Sequence, residues 1–122
     1  MAWNKERAIS YLNAHASSQS HHDCAAYTRR AIKAGGINLR STNFAKDYGP
    51  ILEGAGFTKI YQGETVRAGD VIVIQDSAAS AAGHMAMYNG SVWVSDFRQH
   101  SDVYPGPSYR KYQPAYQIYR KY

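Results

Sequence analysis

Apolar residues recur with a helical period at the start of the chain. Over residues 3–16, Trp3, Arg7, Ile9, Tyr11, Leu12 and Ala16 form a stripe that predicts a first helix. Asn4 is its cap, with Arg7 where a capping box would place an acid. Residues 17–23, Ser-Ser-Gln-Ser-His-His-Asp, read as a polar loop. A second helix begins at Cys24, with Asp23 as its N-cap and Gly35-Gly36 as its stop. Its expected apolar face is Ala25, Tyr27 or Thr28, Ala31 and Ile32. A further short helix over 43–54 starts at Asn43, and Gly49-Pro50 interrupts it.

From residue 57 the period changes to that of strands. Residues 57–61 form a short strand, and 66–70 a turn before the apolar run Val71-Ile-Val-Ile74. A loop of small residues over 75–83 follows. Then His84-Met-Ala-Met-Tyr88, the turn signal Asn89-Gly90 and residues 91–96 read as a β-hairpin. Residues 112–119 supply a last strand. Helices first and antiparallel strands afterwards predict an α+β fold.

Composition narrows the picture. At 122 residues the chain is one domain, spanning 1–122. With 44% hydrophobic and 19% charged residues it matches globular proteins rather than disordered ones. No apolar run approaches the ~20 residues that span a bilayer, so no membrane insertion is expected. The polar N-terminus lacks a signal peptide's apolar core. Synthesis in the cytoplasm is expected, with another carrier for any action outside it. Cys24 is the one cysteine, which excludes an intramolecular disulfide and a Cys-rich zinc site. Fourteen Lys and Arg against nine Asp and Glu give a net charge of +5. Such a surface is drawn to polyanions, whether nucleic acid, anionic lipid or wall polymer.

Cys24 stands in the predicted first turn of a helix, where unpaired N–H groups favour a thiolate. A nearby imidazole would shuttle its proton. Of His15, His21, His22, His84 and His100, His84 is the best placed. It opens a strand directly after a glycine and a loop, so it can face a cleft. Counting back around Asn89-Gly90 pairs Tyr88 with Ser91 and brings His84 near Ser95 or Asp96. Asp96 would then orient the imidazole. Ser95 takes its place if the register slips by one.

The segment Asp23-Cys24-Ala-Ala-Tyr-Thr-Arg-Arg-Ala-Ile-Lys-Ala-Gly-Gly-Ile37 resembles the cysteine-bearing helix of the NlpC/P60 and CHAP families of peptidoglycan hydrolases. Gly69-Asp70-Val-Ile-Val-Ile and Gly83-His84-Met-Ala-Met-Tyr88 look like their Gly-Asp and Gly-His strands. The resemblance covers residues 23–96. It implies a papain-like fold, with helices packed on an antiparallel sheet. It also implies Cys24 as nucleophile, His84 as general base and Asp96 as the third residue. The reaction it implies is hydrolysis of an amide bond in the wall's stem peptide, without a cofactor. The family's usual Asp-Cys-Ser-Gly is Asp-Cys-Ala-Ala here, and its commoner third-position His is Asp.

Other residues carry weaker signals. His21, His22, Cys24 and His84 match no common zinc spacing, so no metal is expected. His22, Tyr27 and Tyr48 are candidates for the cleft lip and for substrate binding. Asp70 reads as a turn residue. Six of the eleven tyrosines lie between Tyr104 and Tyr122, among Arg110, Lys111, Arg120 and Lys121. Such a tail packs a cleft wall, or stacks on bases in a nucleic-acid or wall-polymer binding module. The packing reading is favoured, and nucleic acid is not. Small wall hydrolases without leaders resemble type VI secretion amidase effectors or phage lysis enzymes. An effector implies action in the periplasm after delivery, and an immunity protein as partner. A monomer is expected. A papain-like peptidase or acyltransferase acting on another substrate would use the same residues.

Overall fold

A computed structural model describes residues 3–16, 24–61, 63–78, 80–99 and 103–122. Helix α1 (Lys5–His15) starts where the cap was expected, since the Asn4 side chain accepts from Arg7 N–H at 3.1 Å. Helix α2 (Cys24–Ala34) ends at Gly36, whose φ of +100° suits glycine. Asp23 lies outside the described residues. A 3₁₀ turn (Ala45–Asp47) leads into α3 (Tyr48–Gly54). Pro50 does not break α3, because it stands in the first turn, where no N–H is needed. Helix α4 (Pro107–Tyr112), not expected from the sequence, opens on a proline at its N-terminus. It stops at Gln113, in the left-handed region at φ +47°.

Strands β1 (Thr58–Lys59), β2 (Val71–Ile74), β3 (His84–Tyr88), β4 (Trp93–Val94) and β5 (Tyr116–Arg120) form one antiparallel sheet, ordered β1-β5-β2-β3-β4. The architecture is the expected α+β. All four residues of β2 are buried because both faces of the sheet are covered. Val71 and Val73 join Met85, Met87, Ala8, Leu12, Ala31 and Ile32 in the core under the helices. Ile72 and Ile74 face the other way with Ala86 and Trp93, and Tyr104, Tyr109 and Tyr116 of the tail pack over them. The tail thus closes the second face of the sheet. Tyr112 and Tyr122 remain exposed.

Asp70 is 1% exposed. Its carboxylate takes two hydrogen bonds from Arg120, at 2.8 and 2.9 Å, and one from Arg67 N–H at 2.9 Å. It therefore closes the turn before β2, as a Gly-Asp turn should, and also clamps β5. The Arg120 guanidinium is held firmly charged by that carboxylate.

The β3–β4 hairpin differs from simple counting. Tyr88 pairs with Trp93, not with Ser91. Asn89 Oδ1 accepts from both Ser91 N–H and Val92 N–H, each at 2.9 Å, which stretches the loop to four residues. The register moves by two, so each residue keeps its face. Beyond β4 the chain doubles back at once. Val94 bridges to Arg98, and Gln99 N–H donates to Trp93 C=O at 2.9 Å.

Candidate active site

Cys24 is the first residue of α2 and is partly buried. Thr28, one turn later, is wholly buried. Its hydroxyl reaches both the Cys24 carbonyl at 2.9 Å and the Met85 carbonyl at 3.4 Å. This polar clip lays the start of α2 against the start of β3. His84, the first residue of β3, therefore lines the same cleft as Cys24. Gly83 permits that placement. Its φ is +75°, and a Cβ there would strike the Ile74 carbonyl oxygen and come within 2.9 Å of Lys46 Cβ.

His84 is 6% exposed and Gln99 is 2% exposed. His84 Nε2 lies 3.0 Å from Gln99 Oε1. The Gln99 amide nitrogen donates to the Val103 carbonyl at 3.3 Å, which turns its oxygen toward the ring. An amide oxygen only accepts, so Nε2 carries the proton and Nδ1 keeps its lone pair. The Tyr109 ring leans on the imidazole at 5.8 Å, and its hydroxyl donates to the Gly83 carbonyl at 3.0 Å.

Asp96 is fully buried, and its Oδ1 accepts from the Ser95 hydroxyl at 3.1 Å. Its negative charge is felt by both Cys24 and His84. Arg98 donates to the Asn13 carbonyl at 2.8 Å. A hydrogen bond to the His84 ring comes from Gln99, which sequence reasoning missed. Sequence-local counting stops at the end of the hairpin, and Gln99 returns only through the reversal after β4. Its one signal is an amide side chain three residues beyond Asp96.

Burial disfavours the charged form of both Cys24 and His84. Burial pushes the Cys24 thiol up, and hydrogen bonds from the backbone of Met85, Ala25 and Cys24 itself only partly oppose it. Burial therefore opposes the thiolate that the helix start favours. Burial also lowers the His84 pKa to about 4, against the opposing pull of Gln99 and Asp96.

The cleft has a volume of about 610 Å³. Its walls come from the start of α2, the 41–45 loop with Tyr48, the 80–83 loop, and the tail from Pro105 to Tyr109. Tyr48 is in the wall. Tyr27 is not, and the Arg30 guanidinium lies 5.9 Å over its ring. His21, His22 and His100 lie outside the described residues. Among the described residues, no three His, Cys, Asp or Glu side chains gather as a metal site. No described helix is long and apolar enough to cross a membrane.

Comparison with known proteins agrees with this geometry. The sequence pattern of the NlpC/P60 family matches residues 11–117. No curated protein matches the chain significantly. Among solved structures, the type VI native effector–immunity complex Tae3–Tai3 from Ralstonia pickettii contains a chain similar to this one. It superposes with a TM-score of 0.92 at 45% identity, covering 98% of this chain and 100% of that one. The selenomethionine form of the complex gives a TM-score of 0.88 at 47% identity, covering 93% and 98%. A helix-start cysteine and a Gly-His strand sharing one cleft, together with a family pattern that runs nearly the whole length, give one conclusion: this chain belongs to the NlpC/P60 family.

Proposed function

We propose that this protein is a cysteine amidase or endopeptidase that cuts an amide bond of the peptidoglycan stem peptide, and that it acts as an antibacterial effector. The observation that carries the reading is the shared cleft of Cys24 and His84, with Gln99 fixing the imidazole tautomer. The Nδ1 lone pair of His84 takes the Cys24 thiol proton as sulfur attacks the amide carbonyl. The backbone N–H at the start of α2 stabilises the developing oxyanion. The imidazolium, steadied by the nearby Asp96 charge, protonates the leaving amine and leaves a thioester on Cys24. Water, deprotonated by His84, then releases the acid and restores the thiol. Tyr48 contributes to the substrate-binding wall.

The likeness to Tae3 of a type VI effector–immunity complex supports delivery by a secretion system and action at the cell wall. It also supports a cognate immunity protein, acidic where it meets this surface of net charge +5. Digestion of purified peptidoglycan by wild type and by Cys24→Ala, with fragments identified by mass spectrometry, tests the chemistry. New fragments are expected from wild type alone, and their masses name the bond. Equal release by a folded Cys24→Ala protein rejects it. Expression should be toxic when directed to the periplasm and harmless in the cytoplasm.

A further inference from the structure

Apart from its reactive groups, the cleft is lined by small, hydroxyl, amide and aromatic side chains, with one exception. Arg29 is the only Lys, Arg, Asp or Glu among the described residues that line it. Helix α2 carries three cations, and the other two have local explanations. Arg30 is exposed and covers the Tyr27 ring, and Lys33 sits in the last turn, where a cation complements the helix dipole. Arg29, the sixth residue of α2, gains nothing from the dipole. Among the described residues no acidic side chain pairs with it. It is partly buried, so its charge is screened less than a surface arginine's. An arginine that lines a cleft with no acidic partner among the described residues is suited to an anion, and its planar fork suits a carboxylate.

Position then limits which carboxylate. Arg29 follows Cys24 by five helical residues, an axial rise of about 7.5 Å. An extended peptide advances about 3.3 Å per residue. We propose that Arg29 grips a free carboxylate of the substrate, borne within about two residues of the scissile amide, and so makes this protein selective for wall peptides whose carboxyl groups are unmodified. The inference rests on the hydrolase reading above and adds its substrate preference.

The test compares soluble peptidoglycan fragments with the same fragments whose carboxyl groups have been converted to carboxamides. Wild type should cut the free-acid fragments at least about tenfold faster, the scale of a charge-assisted hydrogen bond. Arg29→Gln should raise KM on the free acids about tenfold with little change in kcat, and should lose the preference. Arg29→Lys, which keeps the charge without the fork, should recover part of it. Thermal unfolding of each variant checks that the fold is intact. Equal cutting of both fragment sets by wild type, or a preference that survives in Arg29→Gln, overturns the inference and leaves the hydrolase reading standing. No cutting of either set by wild type overturns the hydrolase reading itself, and the inference falls with it.

Discussion

Replacing Gln99 by leucine removes the acceptor that holds the proton on His84 Nε2. The two residues are 6% and 2% exposed, so water cannot take over the 3.0 Å bond. A buried N–H left unpaired costs about 1–3 kcal/mol. The ring escapes that cost by shifting its proton to Nδ1 or by turning, and either change removes the lone pair that accepts the thiol proton. The reactive arrangement then becomes the minor one by the same energy. At about 1.4 kcal/mol per factor of ten, kcat/KM should fall about 5-fold to about 150-fold. The assay is the rate of fragment release from purified peptidoglycan, with thermal unfolding recorded alongside. Gln99→Glu restores an acceptor and adds charge, so it should recover turnover and move the acid limb of the pH profile upward. A folded Gln99→Leu protein within twofold of wild type would refute the argument. If Asp96→Asn alone then abolished turnover, orientation of the ring would pass to the Asp96 carboxylate.

Because the His84 pKa is lowered to about 4, the acid limb of kcat/KM should lie well below the 6.5 of an ordinary imidazole, and a limb near 6.5 counts against a buried neutral base. The same shift acts on stability: above pH 6.5 His84 is neutral in both states and contributes nothing, whereas between 6.5 and about 4 only the unfolded chain takes up the proton. Acidification through that window should cost on the order of 3 kcal/mol, read from urea midpoints across pH, and the loss should shrink in His84→Gln. Gly83→Ala forces a side chain into the left-handed region against the Ile74 carbonyl, so it should cost at least about 2 kcal/mol, lower Tm by about 10 °C and abolish turnover by displacing His84. Asp70→Asn breaks the buried pair with Arg120 and should cost about 3–5 kcal/mol in chemical denaturation while any folded fraction keeps its activity.

Local causes made much of this protein readable. The Asn4 cap, the Gly36 stop, the four-residue run of β2 and the span of β3 each follow from residues next to one another in the chain. Cys24 at a helix start and His84 after a glycine were likewise visible as single positions. Pro50 misled only because its effect depends on where in the helix it falls. Helix α4 hid among tail residues whose burial comes from packing on the second face of the sheet.

The sequence by itself determined the order of the elements, the α+β class and the positions of the thiol and the imidazole. Helical and strand periodicity, caps and glycine stops are short-range effects that act before the chain is compact. Tertiary structure alone decided three further things. Gln99 reaches His84 because the chain reverses after β4, a contact across 15 residues that no local pattern specifies. Tyr48 faces the cleft and Tyr27 does not, because packing chooses which side of each helix is covered. The thiol pKa is raised and the imidazole pKa lowered because the finished fold removes water from around both, an effect no local pattern specifies.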